Sequence, residues 1–158
     1  GPLGDAARRN VGNQLGLALH QEWFSQGIAL GYRYDDSPIV ASDGTSPPPD
    51  HPSIYLPTAR PSHRAPHAWL ADGRSVLDLF GRGFVLLRFG TDAPDVVPLC
   101  LAAQRRGVPL QPVDIVQPEI AAAYERRLVL VRPDGMVAWR ADTLPEDSGA
   151  LIDRVRGA

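Results

Sequence analysis

The sequence contains no lysine, one cysteine and one methionine among 158 residues. All 16 basic residues are arginine, a usage that with abundant Ala, Pro and Gly reflects GC-rich coding and carries no mechanism. A single cysteine excludes an internal disulfide, a CxxC redox pair and a Cys-rich zinc site, and it suits a reducing, cytoplasmic setting. The net charge of -2 leaves no basic stripe to neutralise phosphates, which argues against a nucleic-acid partner. No apolar run approaches the ~20 residues that cross a bilayer and no signal-peptide core is present, so no membrane partner is expected. A GxGxxG nucleotide fingerprint is also missing: Gly81-Arg82-Gly83 is a bare GxG between two extended runs.

What is present suffices for one domain with an extension, since 44% of the residues are apolar. Gly1-Pro2-Leu3-Gly4 has the form left by cleavage of an expression tag, and the natural sequence is expected from about Asp5, as a piece of a longer protein. Over 5–26, Val11, Leu15, Leu19 and Trp23 recur at i, i+4 spacing, which predicts an amphipathic helix from Asp5 to Phe24 with a narrow apolar ridge. That ridge must dock on this domain, on a domain outside the sequence, or on a second copy. Residues 27–62 hold Pro38, Pro47, Pro48, Pro49, Pro52, Pro57 and Pro61, a density that excludes a long helix or central strand and reads as a connecting arm. Tyr32, Tyr34, Ile39, Val40, Ile54 and Tyr55 are poor choices for a solvated tether, so the arm is expected to lie along a surface with a mobile tip at Ser42 to Asp50.

Residues 63–158 read as an α/β domain. An apolar run ends at Trp69-Leu70, a turn follows at Ala71-Asp72-Gly73, and a second run covers Ser75 to Phe80, a hairpin pattern. Phe84 to Phe89 reads as a buried strand, followed by a helix to Arg106, a stop at Gly107 and a strand Val108 to Val116, which together make a parallel, right-handed βαβ unit. Pro98 requires that the first helix start at Val97 or be kinked. A second helix, Pro118 to Arg126, precedes a hairpin of Leu128 to Arg132 and Met136 to Arg140 across Pro133-Asp134-Gly135. Thr143-Leu144-Pro145-Glu146 has capping-box spacing and opens a last helix with Leu151, Ile152 and Val155 on one side. The order β-α-β, α, β-β-α is that of a thioredoxin-like fold with a central mixed sheet, here preceded by a helix and a Pro-rich arm. At the position of that fold's CxxC stands Thr91-Asp92-Ala93-Pro94.

The chemistry-bearing residues favour structural roles. Cys100 lies among Val97, Leu99, Leu101 and Ala102 in an apolar helix, the setting of an inert packed thiol. A peroxiredoxin-like or thioredoxin-like protein using Cys100 is the alternative reading. Asp92 or Asp95 serves as helix N-cap. His63, Arg64 and His67 form the one dense His/Arg cluster, suited to a small anion site or, more simply, to hydrogen bonds across the hairpin base or to the arm. Two histidines without a third ligand make a poor metal site. Asp35 and Asp36 beside Arg33 could form an acid pair, but before Ser37-Pro38 they read as a turn with a local ion pair. Trp139, Tyr34 and Tyr55 read as core and docking anchors before a stacking platform, and a module binding a small aromatic ligand beside Trp139 or His67 is a further alternative.

The segment from about Gly31 to the end resembles the C-terminal thioredoxin-like domain of class A FAD-dependent aromatic hydroxylases, of the phenol and polyketide type. The residues that carry the resemblance are Gly31-Tyr32-Arg33-Tyr34-Asp35-Asp36-Ser37-Pro38, Pro57-Thr58-Ala59-Arg60-Pro61, Arg64-Ala65-Pro66-His67, Leu77-Asp78-Leu79-Phe80-Gly81, Phe84-Val85-Leu86-Leu87, Val131-Arg132-Pro133-Asp134-Gly135 and Ala138-Trp139-Arg140. The resemblance implies a non-catalytic scaffold and assembly domain, with no cofactor of its own, in a parent that uses FAD and NAD(P)H to hydroxylate a phenolic or polyketide ring. It further implies contact with the flavin and substrate domains of the parent chain, or a homodimer. The interface candidates are Val11, Leu15, Leu19, Trp23, Tyr32, Arg33, Tyr34, Asp35, Asp36, Arg64 and His67.

Overall fold

A computed structural model describes residues 1–158, the side chains at 20 and 21 aside. The chain divides into two compact units, Gly1–Tyr32 with Pro49–Leu56, and Arg33–Pro48 with Pro57–Ala158.

The larger unit is built on four strands, β1 (Phe84–Phe89), β2 (Leu110–Ile115), β3 (Leu128–Val131) and β4 (Val137–Ala141), in the order β2-β1-β3-β4. β1 pairs parallel with β2 and antiparallel with β3, and β3 pairs antiparallel with β4 with a register shift at Leu130/Val131. Alternate side chains of a strand point to opposite faces, and here both faces are covered. Val85, Leu87, Phe89, Val129, Val131 and Val137 pack with Ile120 and Tyr124 of helix α5 (Pro118–Tyr124). Leu86, Leu128, Leu130 and Ala138 pack on the other face against α4 (Val97–Arg105) and α6 (Ser148–Arg156) through Leu99, Ala102, Leu151, Ile152 and Val155. This is the thioredoxin-like arrangement read from the order of elements.

Local chemistry explains where the element boundaries fall. α4 starts at Val97 with Pro98 in its first turn, where a missing N–H costs nothing, so the helix needs no kink. Its N-cap residue is Val96, and Asp95 assists by accepting from the Val97 amide at 3.0 Å. The hairpin expected around Ala71-Asp72-Gly73 is reduced to one bridge, Trp69 to Ser75. The second run becomes a 3-10 turn, Val76–Leu79, because Ser75 and Asp78 form a reciprocal cap: Ser75 Oγ accepts from the Leu77 amide at 3.1 Å and Asp78 Oδ2 from the Ser75 amide at 2.9 Å. The last helix is capped by Asp147, whose Oδ1 accepts from the Ala150 amide at 2.9 Å, and not by Thr143.

The arm is not a uniform tether. Residues 33–48 and 57–62 belong to the larger unit, where they form a strap along the free edge of β4. Ser62 donates to the Val137 carbonyl at 2.9 Å, Val137 donates back to the His63 carbonyl at 2.8 Å, and Ala41 donates to the Ala138 carbonyl at 2.8 Å. Arg33 bridges His63 in turn, so two short segments extend the sheet past β4. The expected mobile tip is instead anchored at Asp43 and Thr45, as described below.

The smaller unit holds α1 (Pro2–Ala18), α2 (His20–Trp23) and α3 (Gln26–Gly31), where one helix followed by arm was expected. α1 already begins at Pro2. The break falls at Leu19, with φ -89° and ψ -1°, where the Glu22 amide reaches back only three residues to the Leu19 carbonyl at 3.0 Å. In the first turn of α3 the Ile28 amide finds the Pro52 carbonyl at 3.2 Å. That approach requires Gly27, since a Cβ there would sit 1.7 Å from the His51 carbonyl oxygen.

Leu87 is fully buried at the centre of the α5 face, so Leu87→Ala should lose about 2–5 kcal/mol in urea unfolding. The exposed Leu17→Ala should stay within about 0.5 kcal/mol of the unaltered chain.

Candidate interface

The ridge residues Val11, Leu15, Leu19 and Trp23 are 54%, 54%, 42% and 79% exposed, and α1 buries none of its residues. Phe24 and Ile28 add to the open apolar surface of the same unit. Tyr32 and Tyr34 are about half exposed.

In the larger unit the predicted candidates Arg33 and Asp35 join a polar knot. The Tyr34 to Ser37 turn closes with the Ser37 amide on the Tyr34 carbonyl at 3.1 Å. The Asp35 carboxylate accepts from Arg33 Nε at 2.6 Å, from Ser62 Oγ at 2.7 Å, and from Arg60 Nη1. Burial opposes its ionisation, but the hydrogen bonds from Ser62, Arg60 and Arg33 outweigh it and hold the carboxyl well below the usual range. A group so committed is no general base. Asp36 lies exposed on the same turn.

A second knot was not foreseen. Arg140, with its side chain 2% exposed, donates from Nε to Asp43 Oδ2 at 2.7 Å and from Nη1 to Glu125 Oε2 at 2.9 Å. Asp43, with its side chain 8% exposed, also accepts from the Thr45 hydroxyl at 2.6 Å and the Thr45 amide at 3.0 Å. Burial raises the Asp43 carboxyl, and the Thr45 and Arg140 hydrogen bonds reverse that and lower it. Arg60 ties the two knots together, donating to the Thr45 carbonyl from Nε at 2.8 Å and to Asp35 from Nη1. The signal for this knot was available: an arginine in an otherwise buried strand, Ala138-Trp139-Arg140, demands a carboxylate from elsewhere in the chain.

The His63-Arg64-His67 cluster does not converge on one site. His63 is buried beside Ser62 and Pro61, Arg64 bridges Met136, and His67 Nδ1 lies 3.0 Å from Ser75 Oγ with its ring edge-on to Trp69. Among the described residues no group of three His, Cys, Asp or Glu could hold a metal. Cys100 is half-buried against the α4–α6 core, and burial pushes its thiol up. Trp139 packs into that same core and offers no stacking platform. Asp92 pairs with Arg127 at 3.0 Å. The Gly81-Arg82-Gly83 loop leads into a strand rather than a helix, and a Cβ at Gly83 would meet Pro109 at 2.9 Å. It makes a close chain crossing, and a dinucleotide cradle does not fit it.

The model of the family described as "Aromatic-ring hydroxylase, C-terminal" matches residues 58–157. The chain belongs to this family. Among curated relatives, it is 37% identical over 145 residues to the FAD-dependent monooxygenase apdD of Emericella nidulans, covering 84% of this chain and 23% of that protein. It is 35% identical over 159 residues to the tetracenomycin A2 monooxygenase-dioxygenase of Streptomyces glaucescens, covering 92% and 27%. Among solved structures, the rebeccamycin biosynthetic enzyme RebC with reduced flavin superposes with a TM-score of 0.84 at 47% identity, over 99% of this chain and 29% of that one. Aklavinone-11 hydroxylase with FAD and aklavinone gives 0.67 at 30% identity, over 84% and 28%. The chain therefore spans about a quarter of the length of these proteins.

Arg140→Ala strands a buried carboxylate, and urea unfolding should show a loss of about 3–5 kcal/mol. With its thiol pushed up by burial, Cys100 should label slowly with a disulfide reagent at neutral pH in the native state, and at the rate of a free thiol once unfolded.

Proposed function

We propose that this chain is the non-catalytic scaffold and assembly domain at the C-terminal end of an FAD-dependent aromatic-ring monooxygenase. The observation that carries this reading is the pairing of partial length with an emptied redox position. The chain matches 23% and 27% of two oxygenases, and the loop between β1 and α4 carries Thr91-Asp92-Ala93-Pro94 where the fold's cysteines would stand. FAD would be held, and reduced by NADH or NADPH, by residues outside this chain, and so would the phenolic or polyketide ring that is hydroxylated. The residues present here hold strap and sheet together and supply no proton donor or acceptor to that reaction.

The partner surface is the ridge of Val11, Leu15, Leu19 and Trp23, with the exposed Tyr32 and Tyr34 as further candidates. The partner we infer is the flavin and substrate part of the same polypeptide. An apolar stripe this open is uncommon on a monomer and marks a contact surface. When the rest of the enzyme is absent, the same ridge can pair two copies.

Light scattering on the 158-residue chain should therefore show concentration-dependent self-association, lost in the double variant Leu15→Glu, Trp23→Glu and on deletion of residues 5 to 30. Strictly monomeric behaviour of all three, with equal thermal stability, would remove the interface from this proposal.

A further inference from the structure

Ser62 and His63 are the residues through which the 60–63 segment of the strap meets β4. On one side they exchange backbone hydrogen bonds with Val137 of β4 at 2.9 and 2.8 Å, and on the other the Tyr34 amide donates to the Ser62 carbonyl at 3.2 Å. Ser62 holds φ 81°, a left-handed conformation that a residue other than glycine adopts under local constraint. His63 is 5% exposed. Its Nδ1 lies 3.3 Å from Ser62 Oγ and 3.4 Å from the Pro61 carbonyl, while Nε2 is buried with no hydrogen-bond partner.

The charged groups acting on this ring are Arg60, Arg33 and Asp35, and Asp35 already accepts from Arg33, Arg60 and Ser62. On the β4 side the neighbours are Val137 and Met136, which do not titrate, and Arg64 follows in the chain. A neutral imidazole fits this site. A protonated one would place an N–H at Nε2 with no acceptor and a third cation beside two guanidiniums, in a buried position where charge is costly. We propose that His63 is an acid-sensitive pin whose protonation releases the segment around residues 60–63, with residues 33–35 that hang on it, from Val137 and bares that part of the β4 edge.

Burial first, with Arg60 and Arg33 adding to it against Pro61 and Asp35, holds the His63 imidazole below its ordinary value. A histidine lowered on folding contributes fully above its unfolded value of about 6.5, and the contribution is lost as pH falls below that. Asp35 stays ionised throughout this window, so its bonds to Arg33, Arg60 and Ser62 are not what fails first.

Amide exchange followed by NMR at pH 7.5 and 5.5, corrected for intrinsic rates, tests the pin on the 158-residue chain. The amides of Ser62, Tyr34 and Val137 should lose protection about tenfold at pH 5.5, the ratio of protonated to neutral imidazole in the released strap, while those of β1 and β3 keep theirs. In His63→Asn, which keeps a polar group near Pro61 and Ser62 but takes no proton, that loss should vanish. An equal loss in His63→Asn, or a uniform loss across the sheet, would overturn the proposal. Should the variant not fold, the titration of the His63 ring in the unaltered chain decides: a midpoint clearly below 6.5 supports the pin, and one at or above it refutes it.

Discussion

Burial of β1 and β3 on both faces is the constraint from which the rest of this domain follows. All four residues of β3 and four of the six of β1 are withdrawn from water, so helices must lie on both sides of the sheet. A parallel neighbour for β1 needs a crossover, and α4 supplies it on the face that α6 later shares. α5 is left to cover the opposite face. The two outer strands are handled differently: β2 carries Pro112 within an edge position, while β4 passes its free edge to the strap.

Closing an edge with irregular chain creates a polar problem, because the covering segment brings few apolar residues. The chain meets it with two charge knots joined by Arg60. In each, a carboxylate is held ionised by guanidinium and hydroxyl donors against the cost of burial. Such clusters add less net stability than their Coulomb energy suggests, but they admit one geometry, and that pins an otherwise Pro-rich segment in a single place. The same crowding leaves His63 with a buried nitrogen and no partner.

Much of the domain was legible because its signals are local. Phe84 to Phe89 reads as a strand from its unbroken apolar run, Gly107 stops α4, and Pro133-Asp134-Gly135 turns β3 into β4. The errors share a physical cause as well. Ser75 to Phe80 has strand-like composition, yet the Ser75–Asp78 cap satisfies its backbone locally and makes a 3-10 turn. The helix expected from Asp5 to Phe24 breaks at Leu19, where no Gly or Pro marks the step. Of the candidate residues, Val11 and Leu15 lie on α1 as their spacing implied, while Leu19 caps it and Trp23 falls in α2. The partners of Arg140 and Arg60 could not be read from spacing, since Asp43 lies 97 positions from Arg140 and Thr45 lies 15 from Arg60, and only the folded strap brings them in.

By itself the sequence determined the class of this protein: the alternation of apolar runs, the missing CxxC pair and glycine fingerprint, and the spaced YRYDDSP, RPDG and AWR motifs point to a thioredoxin-like C-terminal domain of the aromatic-ring hydroxylase family. Those properties rest on residue types and short spacings, which survive without coordinates. Tertiary structure alone decided how the arm is divided, which arginine meets which carboxylate, and that one histidine is sealed against the sheet edge. Each of these depends on pairings between distant segments, and composition is silent on such pairings because the loop entropy that opposes them is overcome only by the whole packed core.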